Sequence, residues 1–264
     1  MVLKIKENIP QGLSKANLRS KKKSVSILLT STSKIKYLTL HTLLPEAIIT
    51  TIKVNEELPS QPFNEGGKYC ALKRLELAKN QNNYDFIISI ENYIVEEKDN
   101  NNLSNDSEND TKIYKDYCIV YIYNIHNDYL YSGKSTGILV DNFVMEEVMK
   151  SQPFIKNNKI IGYELTAGNV YAELDNEIQH DNWVKNVRGY DRKIQICTAI
   201  FNALINQNHN KNKNKNIQNV NINIFNENNE SIKNKECIDN IDNISNLSVD
   251  FSDYIVALSK LINI

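Results

Sequence analysis

A short apolar run, a hydroxyl-rich turn and a helical period follow one another without a break in residues 26–44, SILLTSTSKIKYLTLHTLL. Residues 25–30 read as a buried strand. Ser31, Thr32 and Ser33 form a small polar loop, and Ser33 is an acceptable N-cap for a helix over residues 35–44 that stops at Pro45. A buried strand leading into hydroxyl residues at a helix start is how α/β proteins present backbone N–H groups to an anion. Lys34 opens the segment, and Lys36 falls in the first turn, where a cation opposes the helix dipole. A bound anion explains that lysine better than helix stability does. Without a ligand, the same residues make a plain strand-to-helix connection with surface lysines.

The following segments alternate in kind. Residues 48–54, IITTIKV, are rich in β-branched side chains and read as a second strand. After a polar turn at Asn55 and Glu56 comes LPSQPFNEGG, whose prolines and glycines argue against regular structure. Residues 68–79 have a helical period, with Ala71, Leu72, Leu75 and Ala78 on one face and Lys68, Lys73 and Arg74 at the start and flank. Residues 85–90, DFIISI, have the near-continuous apolar pattern of a strand covered on both faces, and the spacing predicts that it ends at Glu91. A carboxylate at the carboxyl end of a buried strand stands where open α/β sheets bind ligands. An ordinary exposed glutamate is the alternative.

Residues 97–112 are Asn/Asp-rich and read as a disordered hairpin insertion. Strands at 117–123 and 129–132 form a hairpin around Asn127 and Asp128. The run Ser132-Gly133-Lys134-Ser135-Thr136 looks like part of a phosphate-binding P-loop, but the first glycine of that pattern would have to stand at Asp128. A helix should also follow, and Gly137 with β-branched residues follows instead. Lys134 and Ser135 stay candidates for a phosphate contact from a strand end. Residues 141–150 read as a helix, 161–169 as a loop and short helix, 183–188 as a loop, and 193–204 as a helix with Ile196, Ile200, Ala203 and Leu204 on one side. Arg192, at the start of that helix, is a second cation placed against the dipole.

The flanks differ in composition. Residues 1–24 read as a disordered basic tail ending in Lys21, Lys22 and Lys23, and 206–249 as a low-complexity Asn/Lys-rich segment. Within 250–264, Phe251, Tyr254, Ile255, Leu258, Leu261 and Ile262 keep a 3.6 period, the mark of a closing amphipathic helix. The formal net charge of −1 does not point to nucleic acid or to an anionic membrane. A third function class, association with nucleic acid, rests only on the basic tail and the Lys/Asn run at 210–216. No apolar stretch is long enough to span a bilayer. Cys70, Cys118, Cys197 and Cys237 are widely spaced with no C-x-x-C pair, which fits reduced thiols in a cytoplasmic protein. His41, His126, His180 and His209 show no metal-ligand spacing.

Across residues 26–204 these elements resemble, in order and spacing, the inosine/xanthosine triphosphatase family of non-standard purine NTP phosphatases. Leu58-Pro59-Ser60-Gln61-Pro62-Phe63 looks like the family's V-P-x-Q-P-F signature, and Ala71 to Arg74 like its A-x-x-R helix core. Asp85-Phe86 to Ile90-Glu91 matches D-F-x-x-x-I-E, and Ser31 to Lys36 aligns without a gap onto T-T-N-P-x-K. Gly133-Lys134-Ser135 is similar to a family G-R-S, and Gln195 falls where the last helix carries Q-A.

The resemblance implies an α/β fold: a mixed twisted sheet with flanking helices, in two lobes around a nucleotide cleft, over residues 25–205. It implies hydrolysis of ITP or XTP to the diphosphate and phosphate, as nucleotide-pool sanitation by a homodimer. The implied substrate contacts are Ser31, Thr32, Ser33, Lys34, Ile35, Lys36, Glu91, Asn92, Lys134, Ser135 and Arg192. Of these, Lys36 would act on the phosphates and Glu91 on the attacking water. The implied metal is Mg²⁺, with Mn²⁺ as an alternative, held by Glu91 with Asn55 and Glu56 at the second position. Several residues depart from the family pattern: Ser33 replaces the loop Asn, Lys34 its Pro, Asn55 the second carboxylate and Tyr93 the glycine after the catalytic Glu. A neutral amide is a poor ligand for a hard cation. These departures keep a second class open, a catalytically impaired nucleotide-binding or protein-interaction module on the same scaffold.

Overall fold

Ile27, Leu28 and Leu29 are all but fully buried in β1 (Ser26–Leu29), an interior strand of the main sheet. The computed structural model of the chain describes residues 24–54, 57–81, 83–99 and 112–213, with side chains through 205. Asn55, Glu56, the basic tail at 1–23, residues 100–111, Cys237 and the expected C-terminal helix at 250–264 lie outside the described residues.

After β1 come α1 (Lys34–Leu43) and β2 (Ile48–Thr51), then the two-residue β3 (Gln61–Pro62), α2 (Gly66–Ala78) and β4 (Phe86–Lys98). β5 (Lys112–Asn124), β6 (Tyr129–Lys134) and β7 (Ile138–Val140) follow, and then α3 (Asn142–Lys150), β8 (Pro153–Lys156) and β9 (Lys159–Tyr163). The order closes with α4 (Ala167–Leu174), α5 (Trp183–Arg188) and α6 (Arg192–Lys213). This is a mixed α/β fold. β1 pairs in parallel with β2 on one side and β4 on the other, and β5 and β6 continue the sheet antiparallel. β7 pairs with β5 to complete six strands, and β3, β9 and β8 make a second, three-stranded sheet. Parallel neighbours need crossover connections; α1 and α2 supply them.

Strand alternation sorts the core. Ile27 and Leu29 of β1, with Ile88 and Ile90 of β4, pack against Leu40 and Leu43 of α1 and Ile196 and Ile200 of α6. Leu28 and Ile87 point the other way, onto Ala71, Leu75 and Ala78 of α2. A third cluster gathers Phe63, Ile94, Val144, Met145, Tyr171 and Trp183 around α3, α4 and α5.

Several sequence expectations need correction. β4 does not end at Glu91. It continues to Lys98 because β5 supplies a ladder from Asn124 opposite Phe86 to Lys112 opposite Lys98, although the apolar run that signalled the strand stops at Ile90. Glu97, Lys98 and Lys112, taken as part of the insertion, are strand residues. Gln61 and Pro62, expected to be irregular, pair with Tyr163 and Gly162. Residues 183–188 are helical rather than a loop, closed by Gly189 at φ 67°. Residues 161–163, the start of the expected loop, belong to β9, and α6 runs on to Lys213, into the low-complexity segment.

Gly133 owes its place in the G-K-S run to packing. A Cβ there would stand 2.1 Å from Ala199 O and 2.2 Å from Ala203 N, so only glycine lets α6 lie so close to β6.

Candidate functional site

The connection after β1 turns along one face of the sheet, through α1, while the connection into β4 turns along the other, through α2. Where successive crossovers diverge in this way, a crevice opens outside the carboxyl ends of the strands. A cavity of about 390 Å³ lies there, lined by Thr30, Ser31, Thr32, Ser33, Lys36, Lys53, Val54, Leu58 and Arg74.

Each wall has a local cause. The backbone of Ser33 is extended, at φ −63° and ψ 122°, as an N-cap requires, but its side chain caps no amide. Its N–H donates to Ser31 Oγ at 3.2 Å. The next amides of α1 therefore lack a side-chain cap from Ser33, which leaves them available to an anion. Lys36, in the first turn of α1, donates through Nζ to Ile90 O at 2.7 Å and lies 4.0 Å from Glu91 Oε1. Arg74 comes from α2 and donates through Nε to Glu91 Oε2 at 2.8 Å. Glu91 lies past the last residue of β1, where β4 has lost its parallel neighbour, so cations from both faces of the sheet converge on one carboxylate. Its side chain is 9% exposed, and burial at that depth demands such partners.

Thr30 Oγ1, on the cavity wall, is buried without a hydrogen-bond partner, as is Ser89 Oγ. An unpartnered buried hydroxyl costs stability unless a ligand or water satisfies it. Thr30→Val should therefore stabilise the ligand-free protein by about 1–2 kcal/mol. A urea titration would register this as a higher midpoint at unchanged slope; a lower midpoint would mean that the hydroxyl is bonded.

Of the residues expected at the site, Ser31, Thr32, Ser33 and Lys36 line the cavity, and Glu91 is held by two of the cavity's cations. Lys34, Ile35, Asn92, Lys134, Ser135 and Arg192 do not line it. Asn92 follows Glu91 on a strand, so its side chain points to the opposite face and donates to Gln195 Oε1 at 3.2 Å. Ser135 accepts from Cys118 N at 2.8 Å and donates to Thr136 O at 2.9 Å. Lys134 shares a cross-strand row with Glu91, with Ile119 between them, and its ammonium sits 3.4 Å from the centroid of the Tyr117 ring. Partial burial lowers its pKa from the ordinary lysine value.

Arg192 serves the interior. Its guanidinium donates to Asp116 Oδ2 at 2.7 Å and to Gln195 Oε1 at 2.8 Å, while its backbone N–H donates to Asn182 Oδ1. Gln195 in turn donates to Asp116 O at 2.9 Å. Burial raises the Asp116 carboxyl above its ordinary value, against the lowering effect of Arg192. Burial also pushes the neighbouring Cys118 thiol up to about 12, which leaves it protonated and unreactive.

Of the three metal ligands that the family resemblance implies, only Glu91 falls among the described residues. Among them no three His, Cys, Asp or Glu side chains gather as a ligand set, and both oxygens of Glu91 face cations. The other two expected ligands, Asn55 and Glu56, lie outside the described residues. Sequence reasoning also missed Arg74, Lys53 and Thr30 as cavity residues. Arg74 had a legible signal, since it lies one turn after Ala71, which is buried against the sheet.

No protein-family model matches the chain, and no curated protein matches it significantly. Among solved structures, protein VC0702 from Vibrio cholerae is 15% identical, covers 72% of this chain and 99% of its own, and superposes with a TM-score of 0.48. The Ham1 protein of Staphylococcus aureus is 12% identical over 72% of this chain and 100% of its own, with a TM-score of 0.31.

Proposed function

We propose that the cavity binds the phosphate chain of a nucleoside triphosphate and that the protein hydrolyses non-standard purine nucleotides, ITP or XTP, to the diphosphate and phosphate. The observation that carries this reading is the convergence of Lys36 and Arg74, from opposite faces of the sheet, beside the hydroxyl loop and the α1 amino terminus. Phosphoryl transfer asks the protein mainly for positioning and charge stabilisation. Lys36, Arg74 and Lys53 would neutralise phosphate oxygens, and Ser31, Thr32 and the α1 amides would donate to them. Glu91, once its cations turn to the phosphates, would orient the attacking water, which bonds to phosphorus as the bond to the departing diphosphate breaks. The two-lobed cleft belongs to this reading, with the three-stranded sheet flanking the base. So do the homodimer and the cytoplasmic location.

One observation favours a binding module instead: Glu91 is already engaged by Arg74 at 2.8 Å, a poor arrangement for a general base. Measuring phosphate and pyrophosphate release from ITP, XTP, GTP and ATP, in Mg²⁺, Mn²⁺ and EDTA, separates the two. Release from ITP or XTP in preference to ATP supports the hydrolase. Nucleotide binding without any release favours the module.

A further inference from the structure

A buried carboxylate held by two cations from separate helices resembles, in its electrostatics, a liganded anion site. Arg74 Nε is 2.8 Å from one oxygen of Glu91, and Lys36 Nζ is 4.0 Å from the other. Neither cation needs Glu91 for its helix. Arg74 stands in mid-α2, and Lys36 stands where the α1 dipole disfavours a positive charge. Binding capacity is also left over: Thr30 Oγ1 has no partner, the Ser33 side chain caps no amide, and Lys53 adds a third positive charge to the lining.

We infer that Glu91 is an internal counter-anion of the cavity, holding Arg74 and Lys36 in the ligand-free protein, and that a polyphosphate binds by taking both cations from it, with no divalent cation needed for the exchange. This rests on the reading of the cavity as a polyphosphate site. The polyphosphate must break the charge-assisted hydrogen bond between Arg74 and Glu91 and leave Glu91 facing an added negative charge, so the carboxylate opposes binding on both counts. A role for Glu91 as a metal ligand, or as a group that positions the two cations for the phosphates, predicts the reverse.

The test is calorimetric titration of inorganic tripolyphosphate into the full chain, in EDTA and in Mg²⁺. Glu91→Gln keeps the shape of the side chain and removes its charge. Glu91→Ala is the second variant, should the first fold poorly. Either should bind tripolyphosphate in EDTA at least about tenfold more tightly than the wild type, the equivalent of one charge-assisted hydrogen bond no longer lost. Arg74→Gln should bind more weakly than the wild type. Equal or weaker binding by both Glu91 variants would overturn the inference while leaving the polyphosphate reading intact, and so would wild-type binding that appears only with Mg²⁺. Absence of binding by the wild type and both Glu91 variants in either buffer would overturn the polyphosphate reading itself.

Discussion

Arg192→Met is expected to lower the unfolding free energy by about 3–5 kcal/mol, because it leaves the Asp116 carboxylate buried without its counter-charge. The two side chains are only 6% and 5% exposed, so water cannot take over. The loss should depend on pH with a definite sign. Burial already raises the folded-state pKa of Asp116, and Arg192 is the charge that lowers it. Without Arg192 it rises further. A carboxyl raised on folding contributes its stability below its unfolded pKa and loses it as pH climbs through the folded value. The variant's deficit should therefore be largest near neutrality and shrink as acid protonates Asp116. Urea titrations at neutral and mildly acidic pH measure it; a deficit that grows on acidification contradicts this account. Adding Asp116→Leu should recover most of the loss, since exchanging a whole buried pair for apolar side chains is often neutral.

On the proposed hydrolase reading, Lys36→Met should reduce turnover of ITP or XTP by about 10²–10³-fold, the usual effect of removing one preorganised donor to developing charge. Methionine keeps the apolar stem and removes the ammonium that reaches Ile90 O, at 2.7 Å, and the edge of the cavity. The fold rests on Leu40 and Leu43 of the same helix, so the urea midpoint should move little. Arginine is not expected to rescue, because a planar fork does not replace a point charge at a backbone carbonyl. Turnover of Lys36→Met within a few-fold of the wild type would remove Lys36 from the mechanism.

The parts of the molecule written as local periodicity were legible in advance. β1, α1, β2, α2 and α6 follow from apolar spacing and from the hydroxyl residues at the turn, and the α/β class came with the family resemblance that their order carries. Lys36 was singled out as a cation set against the helix dipole, and Glu91 as a carboxylate expected at the end of a buried strand. What could not be read depends on partners distant in sequence. β4 extends beyond its apolar run because β5 pairs with it over its whole length. Asn92 and Arg192 face the interior because Asp116, Gln195 and Asn182 wait there. Short helices such as α5 gain their order from packing, here Trp183 stacked against Tyr171, and hardly at all from propensity.

The main sheet also implies an order of assembly. β5 and β6 meet across a tight hairpin, Asn124 opposite Tyr129, whereas β1 joins β4 only after the intervening chain is gathered in, Ile27 opposite Phe86. Local pairs form cheaply, and distant parallel ones must first overcome loop-closure entropy. In pulsed hydrogen exchange during refolding, the amide of Thr30, which bonds Ile88 O across that late junction, should gain protection after those of β5. Simultaneous protection would argue for a nucleus that already contains β1. A cavity built on a late junction cannot template the collapse that precedes it. Its occupant is expected to slow unfolding and to leave the folding rate unchanged.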